Sequence, residues 1–357
     1  MIYYGKQSID EADIQAVEAV LRSDFLTQGP AVERFERVVA NYCGAKYAVA
    51  VTNATSALHI ACLAAGLGEG DLLWTSPVTF VASANCARYC GASVDFVDID
   101  EKTYNMSAAA LEEKLRQAKK ENKLPKVVVP VHLAGQSCDM KRIRELAEEY
   151  GFTVLEDASH AVGADYLGTK VGSCAFSDMA VFSFHPVKII TTGEGGMVLT
   201  NNEALYEKLI LYRSHGITRD PKKMTREPDG PWYYQQIALG FNYRMTDIQA
   251  ALGCSQMDHL DTFVTRRREL VARYDAALQD LPVKTPYVME GADPSWHLYV
   301  IRVDFTKVCK SKREVFAQMV ERGIALNLHY IPVHTQPYYE ALGHRPEECP
   351  NAMEYYR

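Results

Sequence analysis

Three short segments of the 357-residue chain gather residue types that can do covalent chemistry. In Val154-Leu155-Glu156-Asp157-Ala158-Ser159-His160 an apolar run ends in two carboxylates. Ligands of open α/β sheets gather at the carboxyl ends of the strands, so Asp157 stands where a charge partner can act. An acid there can equally face water or cap a helix. The second segment runs from Phe182-Ser183-Phe184-His185 through Pro186-Val187-Lys188-Ile189-Ile190 to Gly193-Glu194-Gly195-Gly196. Most lysines are solvated. Val187, Ile189 and Ile190 around Lys188 predict partial desolvation, which lowers the pKa of the amine and frees it to attack a carbonyl. The glycines can let the backbone come close to a bound group. In the third segment, Thr52-Asn53-Ala54-Thr55-Ser56-Ala57-Leu58, a strand end turns into a helix. Its orphan amides and dipole suit a phosphate, although plain N-capping explains the same residues.

Taken together, the three match one cofactor. A helix N-terminus for a phosphate, a carboxylate for a pyridinium nitrogen and a lysine for an aldehyde are what pyridoxal 5'-phosphate asks of a protein. Their order and spacing, with the Gly-Glu-Gly-Gly run, resemble the fold-type-I sugar aminotransferases of the DegT/DnrJ/EryC1/StrS group. The likeness extends to Gly29 after Leu26-Thr27-Gln28, to residues 77–82 and 132–140, and to Gly240-Phe241-Asn242-Tyr243-Arg244-Met245-Thr246-Asp247 and the six residues after it.

Carried over by matched position, the resemblance implies that Lys188 bonds the cofactor's aldehyde and that Asp157 partners the ring nitrogen. It implies that His160, where many relatives have Gln, lies near the phenolic oxygen. Thr55, Ser56 and Ser183 would hold the phosphate, and Phe80 would stack on the ring. Asn242 would reach the phosphate of the neighbouring subunit's cofactor, which implies a homodimer with shared active sites. Tyr4, Leu26, His329 and Tyr330 would surround the sugar nucleotide. Phe80 can also be read as a core aromatic, Asn242 as a helix-start contact, and His329 with Tyr330 as the end of a strand.

Within the group, residues 183–192, 213–216 and 328–332 resemble the aminotransferases of pseudaminic acid biosynthesis. The expected reaction moves the amino group of L-glutamate to C4 of a UDP-linked 4-keto-6-deoxy-N-acetylhexosamine. Another nucleotide-linked keto sugar is the alternative, because loops set substrate choice in such folds. Lys188 argues against a sugar dehydratase, in which histidine takes that place. A regulatory protein without turnover would have no use for the lysine, the aspartate and the phosphate residues together. No C-terminal arginine is placed for a two-pronged grip on a second carboxylate, which disfavours a plain amino-acid aminotransferase.

These residues need a scaffold of strand ends, and the chain supplies one. Apolar runs at 47–52, 72–75, 94–97, 126–131, 153–155, 180–184 and 197–199 predict seven strands, most of them separated by helical patterns. The class is α/β, with a mostly parallel seven-stranded sheet in a large domain over 1–265 and a small C-terminal α/β domain over 266–357. A helix opens near Asp10 with Ile14, Val17, Val20 and Leu21 on one stripe, and another starts at Pro30 and ends before Gly44. Helical pattern continues from 246 to about 281. Strands are expected at 296–303 and 325–330, flanking a helix that Ser311 and Glu314 cap and that buries Val315, Phe316, Met319 and Val320. The pattern stops inside an amphipathic helix at 351–357, so the small domain is expected to be incomplete, with an element missing beyond Arg357.

Composition narrows the field further. With 38 Lys plus Arg against 45 Asp plus Glu, the net charge is −7, and no basic field attracts nucleic acid. No apolar stretch approaches the roughly 18 residues of a membrane span. Nine cysteines are scattered without a C-x-x-C pair, so no metal centre is expected and a reduced, cytoplasmic setting is.

Overall fold

The computed structural model describes residues 1–357. All seven anticipated runs pair into one sheet: β1 (Tyr47–Val51), β2 (Leu72–Thr75), β3 (Ser93–Phe96), β4 (Val127–Val129), β5 (Thr153–Asp157), β6 (Met179–Ser183) and β7 (Gly196–Thr200). The spatial order is β1-β7-β6-β5-β4-β2-β3, and β7 alone runs antiparallel to its neighbours. A strand covered on both faces needs apolar residues at successive positions. That is why β4 reads Val-Val-Val and why β6 and β7 have no exposed residue.

Two helices precede the sheet, α1 (Glu11–Leu21) and α2 (Pro30–Cys43). Parallel neighbours cannot be joined by a tight turn. The crossovers are therefore α3 (Ala54–Ala64), α4 (Ala82–Tyr89), α5 (Ala108–Glu121) and α6 (Met140–Tyr150), and α7 (Glu203–Arg213) follows β7. The alternation of side chains along each strand divides the core. Val127 and Val129 pack in a cluster with α3, α4 and α7, whereas Val128 packs with α5 and α6. Ala48, Ala50, Phe182 and Met197 meet α2 and the long helix α8 (Asp247–Leu278).

Thr246 caps α8 reciprocally with Gln249. The helix runs unbroken across residues 265 and 266 and carries the chain into its C-terminal part. There α9 (Lys312–Glu321) forms with the anticipated Ser311–Glu314 capping box, but it is only half-covered and Val320 is exposed. The helix at the end of the chain spans Pro350–Tyr356. The expected strands are largely absent. Of 296–303 only Arg302–Val303 pairs, with Val283–Lys284, and 325–330 forms no strand. Ile324 instead makes one bridge to Ile2, because the partner there is a short N-terminal arm and residues 327–330 turn inward. Ile14 and Leu21 of the α1 stripe are exposed, as are Phe25 and Leu26 beyond it. No helix is long and apolar enough to cross a membrane.

Candidate active site

The carboxyl ends of β1, β5 and β6 open into a cavity of about 920 Å³. Its lining includes Tyr4, Thr55, Ser56, Phe80, Asp157, His160, Ser183, Lys188, His329 and Tyr330, so residues 326 positions apart in sequence at the extremes meet at one place. Leu26 and Asn242 do not line it. The Leu26 carbonyl accepts from the Asp247 amide at 3.0 Å while its side chain faces solvent, and Asn242 is exposed on a bridge to Ser214.

Asp157 is buried and both its oxygens are engaged. Oδ2 accepts from Ser83 Oγ at 2.6 Å, and Oδ1 accepts from the Ser159 amide at 3.1 Å. Ser83 also meets Thr79 Oγ1 at 2.7 Å, so the carboxylate is held from behind by a chain of hydroxyls. Burial pushes the Lys188 amine from the usual lysine range down to about 8, against the opposing pull of Asp157. The flanking Ile189 and Ile190 are buried, in line with the desolvation that the sequence predicts.

His160 is neutral, and its tautomer follows from its bonds. Nδ1 accepts from the Ala134 amide at 3.3 Å, so the proton sits on Nε2 and is donated to the Tyr330 oxygen at 3.2 Å. Burial first, and then the charge of Lys188, holds this imidazole well below the ordinary histidine range. The Tyr330 hydroxyl keeps its own proton free for the cavity. Phe80 is 59% exposed, with its ring 6.5 Å from that of Tyr330.

At the other end of the cavity Asn53 Oδ1 accepts from the Ser56 amide at 2.8 Å, leaving the amides of Ala54 and Thr55 at the open start of α3. Ser56 Oγ lies 3.1 Å from Thr52 Oγ1, and Ser183 ends β6 beside them. A Cβ on Gly196 would come within 2.4 Å of the Asn53 carbonyl carbon. This glycine, and Gly195, which faces Thr192, therefore let chain approach chain. Helix amides with hydroxyls, a fixed carboxylate and a desolvated amine form a donor set that fits pyridoxal phosphate.

Two residues of the site, one behind the cavity and one in its lining, carry no signal in the sequence. Ser83 directly follows the segment 77–82, and nothing in its spacing marks it as the Asp157 partner. His297 sits in the apolar run 296–303, whose pattern predicts a strand; its ring lies 4.5 Å from that of His160. Glu156, the other strand-end carboxylate, turns away from the cavity to bond His132 Nε2 at 2.6 Å and to accept from Ser177.

Known proteins share this arrangement at the level of the whole chain. The spore coat polysaccharide biosynthesis protein SpsC of Bacillus subtilis is 40% identical over 99% of this chain and 90% of its own length. The UDP-4-amino-4,6-dideoxy-N-acetyl-β-L-altrosamine transaminase of Campylobacter jejuni is 39% identical over 96% of this chain and 87% of its own. The structure of Helicobacter pylori PseC, an aminotransferase of pseudaminic acid biosynthesis, superimposes with a TM-score of 0.89 at 32% identity, covering 99% of this chain and 91% of that one. The profile of the DegT/DnrJ/EryC1/StrS aminotransferase family matches residues 7–357, and the chain belongs to that family of pyridoxal-phosphate-dependent sugar aminotransferases.

Proposed function

We propose that the enzyme moves the amino group of L-glutamate to C4 of a UDP-linked 4-keto-6-deoxy-N-acetylhexosamine, giving UDP-4-amino-4,6-dideoxy-N-acetyl-β-L-altrosamine. The observation that carries this reading is the placement of His329 and Tyr330, within the 328–332 segment that resembles the altrosamine transaminases, in the same cavity as Lys188. The Tyr4 ring, 5.3 Å from that of His329, extends this wall with a surface suited to a pyranose or uracil face. An aminotransferase acting on another nucleotide-linked keto sugar is the second reading, favoured by an identity to SpsC of 40%, against 39% to the altrosamine transaminase.

Bound pyridoxal phosphate supplies an electron sink for the substrate carbon that loses its proton. Thr55, Ser56, Ser183 and the α3 amides would hold the phosphate, and Phe80 would cover the ring. Asp157, fixed by Ser83 and Ser159, would keep the ring nitrogen protonated by its charge. Lys188 is the one lysine or arginine that lines the cavity. With its amine near 8, a useful fraction is unprotonated at neutral pH, and it carries the proton from the donor carbon and returns one to C4 of the sugar. Asn242 is exposed and lies outside the cavity of its own chain, three residues after the exposed Leu239. This supports a homodimer in which Asn242 completes the other subunit's phosphate site.

Steady-state assays with glutamate and a panel of nucleotide-linked keto sugars test the substrate. The UDP-linked 4-keto-6-deoxy-N-acetylhexosamine should give the highest kcat/KM, with the new amine at C4 of the product by NMR. Preference for a dTDP-linked or 3-keto sugar would replace this reading with the second.

A further inference from the structure

Five of the ten histidines of the chain line this one cavity, which contains no arginine. Among them His297 is the most deeply buried whose ring is placed but not bonded. It is 5% exposed, its Nδ1 is buried without a partner, and no group of the protein bonds its Nε2. The backbone around it is tightly held. Arg267 Nη1 donates to the His297 carbonyl at 3.0 Å, and the Leu298 amide donates to Ala134 O at 3.2 Å. A Cβ on Gly135 would come within 2.9 Å of the His297 amide nitrogen, so this close approach needs glycine at 135, where φ is +100°. A side chain fixed this firmly, with its ring nitrogens unused, is suited to a ligand that brings the missing partner.

The chemistry of transamination says what that partner is. A donor amino acid that reacts beside Lys188 carries its α-carboxylate one bond from the reacting carbon. Asp157 repels it, and no arginine is at hand. His160 has spent both its nitrogens, on Ala134 and Tyr330. We propose that His297, with His329 beside it, receives the α-carboxylate of the amino donor, and that a proton is taken up as the carboxylate docks. The proposal rests on the reading that an amino acid such as glutamate is the donor.

The groups facing His297 all favour its neutral form at rest. These are Lys188 and His185 from the loop after β6, Arg267 from α8, His329 from the 325–330 segment and His160 from the end of β5. Burial and these charges hold His297 well below the ordinary range, and His329 is pushed down to about 4. An arriving carboxylate supplies the negative charge the pocket lacks and reverses that balance.

Calorimetric titration of the cofactor-loaded enzyme with glutarate, which has two carboxylates and no amine, tests this in two buffers of different ionisation enthalpy. The wild type should bind glutarate with net proton uptake. His297→Phe should weaken binding by about tenfold or more and remove the uptake, since it deletes a charge-assisted bond. His297→Asn, which keeps a polar group of similar size, should retain part of the affinity but no uptake, and it serves if the Phe variant does not fold. In half-reactions followed by the cofactor's visible absorbance, both variants should raise the apparent KM for glutamate more than they lower kcat, and slow the donor half-reaction far more than the sugar half-reaction. Unchanged glutarate affinity and uptake in the Asn variant, or equal damage to both half-reactions, would overturn the proposal. If the wild type binds glutarate but is not converted by glutamate, the donor reading fails while the role of His297 in carboxylate binding is still decided by the titration.

Discussion

The two walls of the cavity are built differently. On the wall made from strand ends, Asp157 has both oxygens engaged, Asn53 caps α3, and the loop carrying Lys188 is closed by its own bonds, among them Thr191 Oγ1 to Phe184 O at 3.0 Å. On the wall made from His297, His329 and Tyr330 the backbone at 296–298 is held, but His297 has no partner and Tyr330 keeps a proton to give. The contrast separates two tasks. Polar groups already bonded within the protein hold a charge in one place for a cofactor common to the whole family, whereas groups left open are completed by substrates that differ from one enzyme to the next.

If that division is right, damage to the bonded wall should stop all chemistry whichever substrate is offered. The largest effect is expected from Lys188→Ala, which removes the cavity's single amine. Turnover should fall by at least about 10³-fold while the fold, by circular dichroism, is kept. Turnover near the wild-type rate would remove Lys188 from the reaction.

Asp157→Asn tests the charge held between Ser83 and Ser159. The variant should keep the cofactor and lose about 10²- to 10³-fold in kcat, equally in both half-reactions, because an amide cannot keep the ring nitrogen protonated. Near-normal single-turnover rates would show that the carboxylate acts only in binding.

Subunit mixing sharpens the comparison by asking whether the bonded wall is complete within one chain. Lys188→Ala and Asn242→Ala are each expected to be poorly active. After exchange in equal amounts, about one quarter of the wild-type sites should be rebuilt, as two-fold symmetry requires if Asn242 serves the opposite cavity. No recovery despite proven exchange would place each site within a single chain.

Ser83→Ala should have the smallest effect. Loss of one hydroxyl bond to Asp157 is expected to cost about tenfold in kcat, with restoration by Thr at that position. A drop as large as that of Asp157→Asn would mean that Ser83 itself meets substrate or cofactor.

How far the sequence revealed these walls follows the same line. The bonded wall was legible because buried parallel strands need unbroken apolar runs, and the reactive residues stand where those runs stop, as Asp157 ends β5 and Ser183 ends β6. Lys188 stood out for its apolar flanks. The open wall was not legible in the same way. Residues 296–303 and 325–330 alternate like strands, yet their partners are the Gly135 turn and the two-residue contact at Ile2, which only the tertiary fold supplies. His297 was hidden inside one of those runs. Leu26 and Asn242 matched family segments, and their position outside the cavity of their own chain could not be read from local pattern.

The central claim is that one cavity takes an amino group from an amino acid and hands it to a nucleotide-linked keto sugar. The most direct test is a two-step titration of the cofactor-loaded enzyme, watched by visible absorbance. Glutamate alone should convert the cofactor to its amino form and release one equivalent of 2-oxoglutarate per site. After gel filtration, the UDP-linked 4-keto sugar should restore the starting spectrum and appear as the 4-amino sugar in equal amount. Failure of the sugar to restore the spectrum, while 2-oxoglutarate does so readily, would contradict the account.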